Sequence, residues 1–143
     1  MSPAPATPPA LAPIALLLIL AEPTRLRILN CLAAAPLFVS DLQAVLDLPQ
    51  PTVSRHLTVL KRARLVRDTP IAQFVLYRLV RNETGPQARL VLAVLEALGH
   101  DEALRLERHQ ALDRSRAHGR GRMPGSGTGP RLVGASEATG EKP

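Results

Sequence analysis

The sequence predicts a mainly helical, single-domain winged helix-turn-helix fold with the element order α-α-α-α-β-β-α. Hydrophobic residues make up 45% of the 143 residues but aromatic residues only 2%, so the core must consist of aliphatic side chains, as in packed helices. A short helix from Ser40, a turn at Asp47–Pro49 and a second helix at Gln50–Ala63 form a helix pair. Two β-like segments, 65–68 and 74–79, follow at the place where a winged domain has its wing.

The composition divides the chain into three regions. Residues 1–10 are predicted to be a disordered leader, because four of the first nine residues are proline and none has a charged side chain. Residues 11–117 form the winged helix-turn-helix domain, including terminal helices that serve dimerisation. Residues 118–143 are predicted to be a disordered, Gly/Pro-rich tail, because seven of the nine glycines lie beyond His118.

The first helix, Leu11–Leu20, is apolar on nearly all sides. Only one stripe of such a helix can face the core of its own subunit, so we expect a homodimer in which a second copy covers the rest. The last helix has an apolar stripe from Leu90 to Leu98 and is expected to build the same interface. The first apolar run is too short to span a bilayer, and no basic residue precedes Arg25 as a secretory signal requires. We therefore expect a cytoplasmic protein that does not contact membranes.

Local signals predict three further details. Ser40 and Gln43 have the spacing of a capping box, with Ser40 as the N-cap of the third helix. The wing is expected to have a five-residue loop at Thr69–Gln73. A single final helix is predicted from Gly85 onward, with a weak point at Gly99.

The second helix of the pair has a face without acidic residues. Between Leu48 and Arg67 the chain has five basic residues and no acidic one, and its net charge is +6. With Val53 taken as pointing to the core, the opposite side is small and polar at its start and basic further on. This order suits a helix whose first turns approach the base edges of double-stranded DNA and whose later residues meet phosphates. The predicted DNA-binding residues are Gln50, Thr52, Ser54, Arg55, Thr58, Arg62 and Arg67.

Other interpretations of these residues stay open. The same face fits an ordinary solvated helix, and the fold fits a winged domain that binds a protein partner with weak or no DNA binding. An enzyme is not expected, because no nucleophile in the sequence has a base or ligand cluster beside it; we predict no catalytic residue, no metal and no cofactor. His56 is interpreted as a structural histidine hydrogen-bonded between helices rather than a metal ligand, and Cys31 as a buried, inert thiol rather than a redox sensor.

Four segments have a pattern in common with a known family. They are Ala-Glu-Pro-Thr-Arg-Leu-Arg-Ile-Leu at 21–29, Val-Ser-Asp-Leu at 39–42, Pro-Gln-Pro-Thr-Val-Ser-Arg-His-Leu at 49–57 and Leu-Val at 65–66. Together they resemble the ArsR/SmtB-type transcriptional repressors of bacteria. The resemblance implies a winged helix-turn-helix homodimer that sits on an operator and leaves it when an inducer binds; it does not identify the inducer. The groove-reading residues that it implies are Gln50, Thr52, Ser54 and Arg55.

The chain departs from the family at its metal sites. In metal-sensing members the third helix begins with a Cys-Val-Cys-Asp-type run, whereas this chain has Phe38-Val39-Ser40-Asp41. Soft metals need thiolates, so the resemblance does not extend to sensing at that site. His100, His109 and His118 are nine residues apart, a spacing that does not place side chains on adjacent helical turns.

Three departures concern DNA binding. Pro49 replaces the Ser that commonly caps the recognition helix, and Arg64 replaces the Gly that closes it. The lost cap and a left-handed turn at a non-glycine residue are each expected to cost about 1 kcal/mol. The wing tip, Pro70–Gln73, lacks the usual Gly and Arg, and Arg67 and Arg78 are expected to substitute from the strands.

Overall fold

A computed structural model describes residues 13–81 and 84–121, and it confirms the mainly helical winged helix-turn-helix fold. The predicted leader (1–10) and residues 122–143 of the predicted tail lie outside the described residues. The elements are α1 (Pro13–Leu20), α2 (Pro23–Ala34), β1 (Leu37–Phe38), α3 (Val39–Leu46), α4 (Gln50–Arg62), β2 (Val66–Ile71), β3 (Phe74–Leu79), α5 (Pro86–Leu98) and α6 (Glu102–Gly119). Within the described part, no helix is long and apolar enough to cross a membrane.

Aliphatic side chains build the core, as the composition predicts. Side chains from all six helices meet in it, with α2, α3 and α4 at its centre. The fully buried residues include Ile28 and Leu29 of α2, Leu42 of α3, and Leu57 and Leu60 of α4. Each such side chain stabilises the fold by about 1.5–3 kcal/mol relative to an exposed one.

The third helix does not begin as predicted. Ser40 lies inside α3, and the N-cap position is occupied by Phe38, so the Ser40–Gln43 capping box is wrong. Asp41 lies three positions after this N-cap and caps the helix with its side chain. The Asp41 Oδ2 accepts a hydrogen bond from the Phe38 N–H at 2.9 Å. The reason is tertiary, because Leu37 and Phe38 pair with β3 and lead the chain directly from a strand into the helix.

The sheet has one strand more than predicted. β1 joins the two wing strands in an antiparallel sheet with the order β1-β3-β2. β2 extends to Ile71, which is paired with Phe74, so a two-residue turn replaces the predicted loop Thr69–Gln73. Pro70 is tolerated inside β2 because this strand lies at the edge of the sheet. Ala72 closes the turn with a φ of 53°, a left-handed conformation that glycine adopts more readily.

The predicted single final helix is two helices, α5 and α6. The chain leaves α5 at Gly99, and the Asp101 side chain accepts a hydrogen bond from the Leu104 N–H at 3.0 Å to cap α6. Gly99 is a helix stop signal and Asp101, two residues later, is a helix start signal, but the continuous apolar spacing obscured both. α6 runs to Gly119, two residues past the predicted end of the domain at residue 117.

Polar contacts fasten α6 to α2. Arg27 of α2 and Glu107 of α6 form an ion pair with a nitrogen–oxygen distance of 2.6 Å. Asn30 is fully buried and bonded on both ends of its amide: Nδ2 donates to the Leu104 carbonyl at 2.8 Å, and Oδ1 accepts from the Arg108 Nε at 2.6 Å. Ala111 of α6 is fully buried and belongs to the apolar core. These bonds require one register of α6 on α2, because each donor has to meet its own acceptor.

A buried carboxylate fastens α6 to α3. Asp41 is only 1% exposed, and its Oδ1 lies 3.2 Å from the Arg114 Nε. The Nε2 of His118 lies 2.8 Å from both carboxylate oxygens, and its ring packs edge-on against Phe38 with the centroids 5.1 Å apart. A buried charge is tolerated only when it is paired and hydrogen-bonded, as this one is. Asp41 therefore ties the start of α3 to the end of α6.

We predict that Asp41→Asn lowers the free energy of unfolding by about 2 kcal/mol, because the amide loses charge-assisted bonds to Arg114 and His118. Urea denaturation monitored by circular dichroism measures the change. Asp113→Asn, an exposed substitution on α6, is the matched control and should change stability by less than about 0.5 kcal/mol. Equal stability of the two variants would contradict the stabilising role of the buried contact.

Candidate nucleic-acid interface

The orientation of α4 is set by its apolar side. Val53, Leu57 and Leu60 recur at helical spacing and are fully buried against the core. The helix begins without a side-chain cap, because Pro49 offers no acceptor, as predicted from the replacement of the usual Ser. Since one side is committed to the core, the opposite side must face outward.

The predicted DNA-binding residues lie on that outward side. Five of the seven predicted residues are exposed: Gln50, Arg55, Thr58, Arg62 and, on β2, Arg67. Thr52 and Ser54 are half-buried at its flanks. We call Gln50, Thr52, Ser54, Arg55, Thr58 and Arg62 the outer face of α4. Its surface is polar in the first turns and basic at Arg62.

Hydrogen bonds organise the first turns of the outer face. The Gln50 Nε2 donates to the Ser54 Oγ at 2.7 Å, which holds the Gln50 amide beside the second turn. The Thr58 hydroxyl donates to the Ser54 carbonyl at 3.0 Å. Arg55 and Arg62 make no hydrogen bond or ion pair with any residue that the structure describes, so their guanidinium donors are directed to solvent. An arginine of this kind can bind a phosphate or the edge of a guanine.

The wing adds a second basic surface. Arg67 of β2 and Arg78 of β3 are directly opposite in the antiparallel pair, and both are exposed. Paired residues share one face of a sheet, so the two guanidinium groups project from the same face of the wing. The expectation that these two residues replace the missing wing-tip arginine stays a prediction.

A cleft of about 340 Å³ lies between the end of α4 and the base of the wing; it is lined by Lys61, Arg64, Val66, Arg67, Asp68 and Val80. We call it the basic cleft. The Lys61 Nζ lies 2.8 Å from the Asp68 Oδ2, and this hydrogen bond raises the pKa of Lys61 and lowers the pKa of Asp68. Of its basic residues, Arg67 alone was predicted as part of the site. The spacing of Lys61, three residues after Thr58 and hence on an adjacent turn, was the signal that could have added Lys61 to the site.

His56 lies on the core side of α4, as predicted, but the predicted hydrogen bond between helices is wrong. Its Nδ1 is 3.7 Å from the Glu22 carboxylate, too far for a hydrogen bond, and it has no other partner among the described residues. The two side chains interact only through their charges when the histidine is protonated. Glu22 is instead hydrogen-bonded at the start of α2, where it accepts from the Arg25 N–H at 2.8 Å.

Cys31 is fully buried in α2. Burial raises the pKa of its thiol to about 12, and the nearby Glu107 carboxylate acts in the same direction. The thiolate is the reactive form, so this environment makes the thiol inert and supports the interpretation of Cys31 as structural. No group of three or more His, Cys, Asp or Glu side chains in the described part is arranged to hold a metal ion.

Comparisons with known proteins identify similar chains. The family model described as "Bacterial regulatory protein, arsR family" matches residues 22–68. The arsenical resistance operon repressor of Escherichia coli K12 is 37% identical over 101 residues, which are 70% of this chain and 79% of that protein. The HTH-type transcriptional regulator Rv2034 of Mycobacterium tuberculosis is 47% identical over 60 residues, 42% of this chain and 56% of that protein, so the match spans little more than half of its length.

A solved structure has the same fold. Reduced HlyU from Vibrio cholerae N16961 superposes with a TM-score of 0.52 at 35% sequence identity, over 60% of this chain and 83% of the HlyU chain. The family match at 22–68 includes α2, α3 and α4 and extends into β2, so it covers the whole outer face of α4.

We predict that the Cys31 thiol of the folded protein resists alkylation by iodoacetamide at pH 8 and reacts rapidly in urea, because folding buries it and disfavours the thiolate. The raised pKa of Cys31 also makes the stability of the folded protein depend on pH. Folding favours the protonated thiol, so its contribution is complete below about pH 9 and is lost as the pH rises toward 12. Relative to Cys31→Ala, the wild type should therefore lose up to about 1.4 kcal/mol of stability per pH unit in that window. Rapid labelling of the native protein would show instead that the thiol is accessible.

Proposed function

Since this chain belongs to the arsR family of bacterial regulatory proteins, we propose that it is a transcriptional repressor that binds operator DNA as a homodimer through the outer face of α4. Members of this family are DNA-binding transcriptional regulators and not enzymes, so the family resemblance and the expectation of a non-enzymatic protein are confirmed. One observation carries the proposal. Burial of Val53, Leu57 and Leu60 turns the unpartnered Arg55 and Arg62 outward, on the exposed side of α4.

The proposed contacts follow from the order of residues along α4. Gln50 and Arg55 lie in the first turns, where a helix that enters the major groove end-on meets base edges. Arg62, about two helical turns after Arg55, is positioned for a phosphate. Thr52, Ser54 and Thr58 supply hydroxyl groups between them, and Arg67 reaches the backbone from the wing. Because bacterial operators lie in the cytoplasm, the proposed function places the protein there.

The proposed homodimer is supported by an apolar surface at α1. Ile14 is 74% exposed, Leu17 49% and Leu18 68%, and Leu92 on α5 is 48% exposed. An isolated subunit would leave these side chains in water, whereas a second copy would bury them. Two copies of α4 about one duplex turn apart, ~34 Å, would read a roughly palindromic site.

We propose that the repressor does not use a cysteine metal site on α3. Buried Phe38 and half-buried Ser40 stand where metal-sensing members are expected to have thiols, and neither side chain is a soft ligand. Release from DNA then depends on a different inducer or on none.

We predict that Arg55→Ala weakens operator binding by about 1–3 kcal/mol while binding of a scrambled duplex changes much less, as expected for a base contact. Fluorescence anisotropy with an operator selected from a random pool measures both affinities. Arg105→Ala removes the same charge from an exposed position on α6 and should leave both affinities nearly unchanged. Equal weakening on both duplexes would assign Arg55 to phosphate alone. A wild type with no salt-dependent affinity for any duplex would favour the alternative of a protein-binding winged domain.

We also predict that Leu18→Asp shifts the protein from dimer to monomer, because the new charge would have to be buried in the interface. Analytical ultracentrifugation of the full chain reports the shift. Leu106→Asp is the control, since Leu106 is 58% exposed on α6, outside the apolar surface of α1 and α5, and its substitution should leave the dimer intact. A Leu18→Asp variant that remains dimeric would place the interface elsewhere.

A further inference from the structure

The chain reverses direction at the end of α4 through an arginine in a conformation suited to glycine. Arg64 has a φ of 60°. The Arg64 N–H donates to the Lys61 carbonyl and the Leu65 N–H to the Leu60 carbonyl, each at 3.0 Å, which is the bonding pattern of a Schellman helix end. This pattern requires a left-handed residue at position 64, and glycine takes that conformation without steric cost. Arginine at this position is therefore strained, as expected from the sequence.

The Arg64 side chain does not offset this strain by contacts within the protein. It is exposed and makes no hydrogen bond or ion pair with any described residue, although its main chain is well bonded. It lines the basic cleft together with Lys61, Arg67 and Asp68. Asp68 neutralises Lys61 through their 2.8 Å contact, so Arg64 and Arg67 leave the cleft with two uncompensated positive charges. Residues held in unfavourable conformations concentrate at functional sites.

We propose that Arg64 is a DNA-binding residue and that the basic cleft takes a phosphodiester group of the duplex. This inference rests on the proposed function and extends it to a site that the outer face of α4 does not include. Gln50 and Arg62 are separated by twelve residues, or about 18 Å along the helix axis. The major groove is about 12 Å wide, so a helix whose first turns touch bases has its far end beyond the groove, beside the phosphates.

The cleft is suited to a phosphate rather than to a base edge. Lys61 follows Thr58 by three residues and continues the outer face around the end of α4. Arg67 lines the cleft from strand β2 of the wing. A phosphate between these groups would be met from both α4 and β2, so it would fix the angle between the recognition helix and the wing on the duplex. Contact with this phosphate would not distinguish one DNA sequence from another.

The test uses three variants of the full chain. Arg64→Gly removes both the strain and the charge, whereas Arg64→Gln removes the charge and keeps the strain. Ala72→Gly relieves the similar strain at the wing tip, where φ is 53°, without any change of charge. The melting temperature of each variant is measured together with its affinity for the selected operator and for a random-sequence duplex between 50 and 200 mM salt.

We expect Arg64→Gly to make the protein more stable and to weaken its binding to DNA. Its melting temperature should rise by about 3 °C, while its affinity for both duplexes falls by about three- to tenfold and the slope of log affinity against log salt becomes shallower by about one. Arg64→Gln should bind as weakly without the gain in stability, and Ala72→Gly should gain stability and bind like the wild type.

Wild-type affinity and salt slope in both Arg64 variants, with a wild type that binds DNA, would overturn this inference and leave the proposed function standing. Loss of operator binding alone would assign Arg64 to a base and overturn the phosphate site. A wild type that binds no duplex would instead refute the proposed function.

Discussion

The burial of one side of α4 is the constraint on which the rest of the interface depends. Val53, Leu57 and Leu60 are each removed completely from water, and together they contribute about 5–9 kcal/mol at the usual value for a buried aliphatic side chain. A rotation of α4 about its own axis would expose them, so the direction of Arg55 and Arg62 follows from the core and not from any contact of their own. Arg55 and Arg62 can therefore remain unpaired on the outer face, as the proposed binding of DNA requires.

The remainder of the fold supports α3, against which α4 packs. α6 adds a polar layer behind the helix pair, with the Arg27–Glu107 ion pair on α2 and Asp41 on α3 as its two ends. Hydrogen bonds to buried groups are directional, so they fix α6 in one position where an apolar contact alone would permit sliding. The orientation of the helix pair thus depends on residues far along the chain, at 107–118.

In the described part of the chain, three non-glycine residues have a positive φ, and all lie around the proposed DNA-binding region: Asp47 before α4, Arg64 after it and Ala72 at the wing tip. Each costs on the order of 1 kcal/mol relative to a residue in a relaxed conformation. Asp47 closes α3 by a bond from its N–H to the Gln43 carbonyl, and Arg64 closes α4 in a similar way. Only Arg64 adds an unpaired positive charge to a cleft, which is why its strain indicates a function and that of the other two does not.

Local sequence patterns were sufficient for α4, its outward residues and the helical class of the fold, because they depend on spacing within one helix. The strain at Arg64 was also foreseen, since helix ends obey local rules. The buried cap at Asp41, strand β1, the division of the last helix and the basic cleft were not foreseen. The contacts of Asp41 with His118 and of Leu37 with Tyr77 join residues distant in the chain, and the cleft forms only where the end of α4 meets the wing. The helix stop at Gly99 and the cap at Asp101 are local signals, but the continuous apolar spacing obscured them. Periodicity describes which way a side chain points from its own helix, but the partner that it meets is decided only when the helices and strands pack.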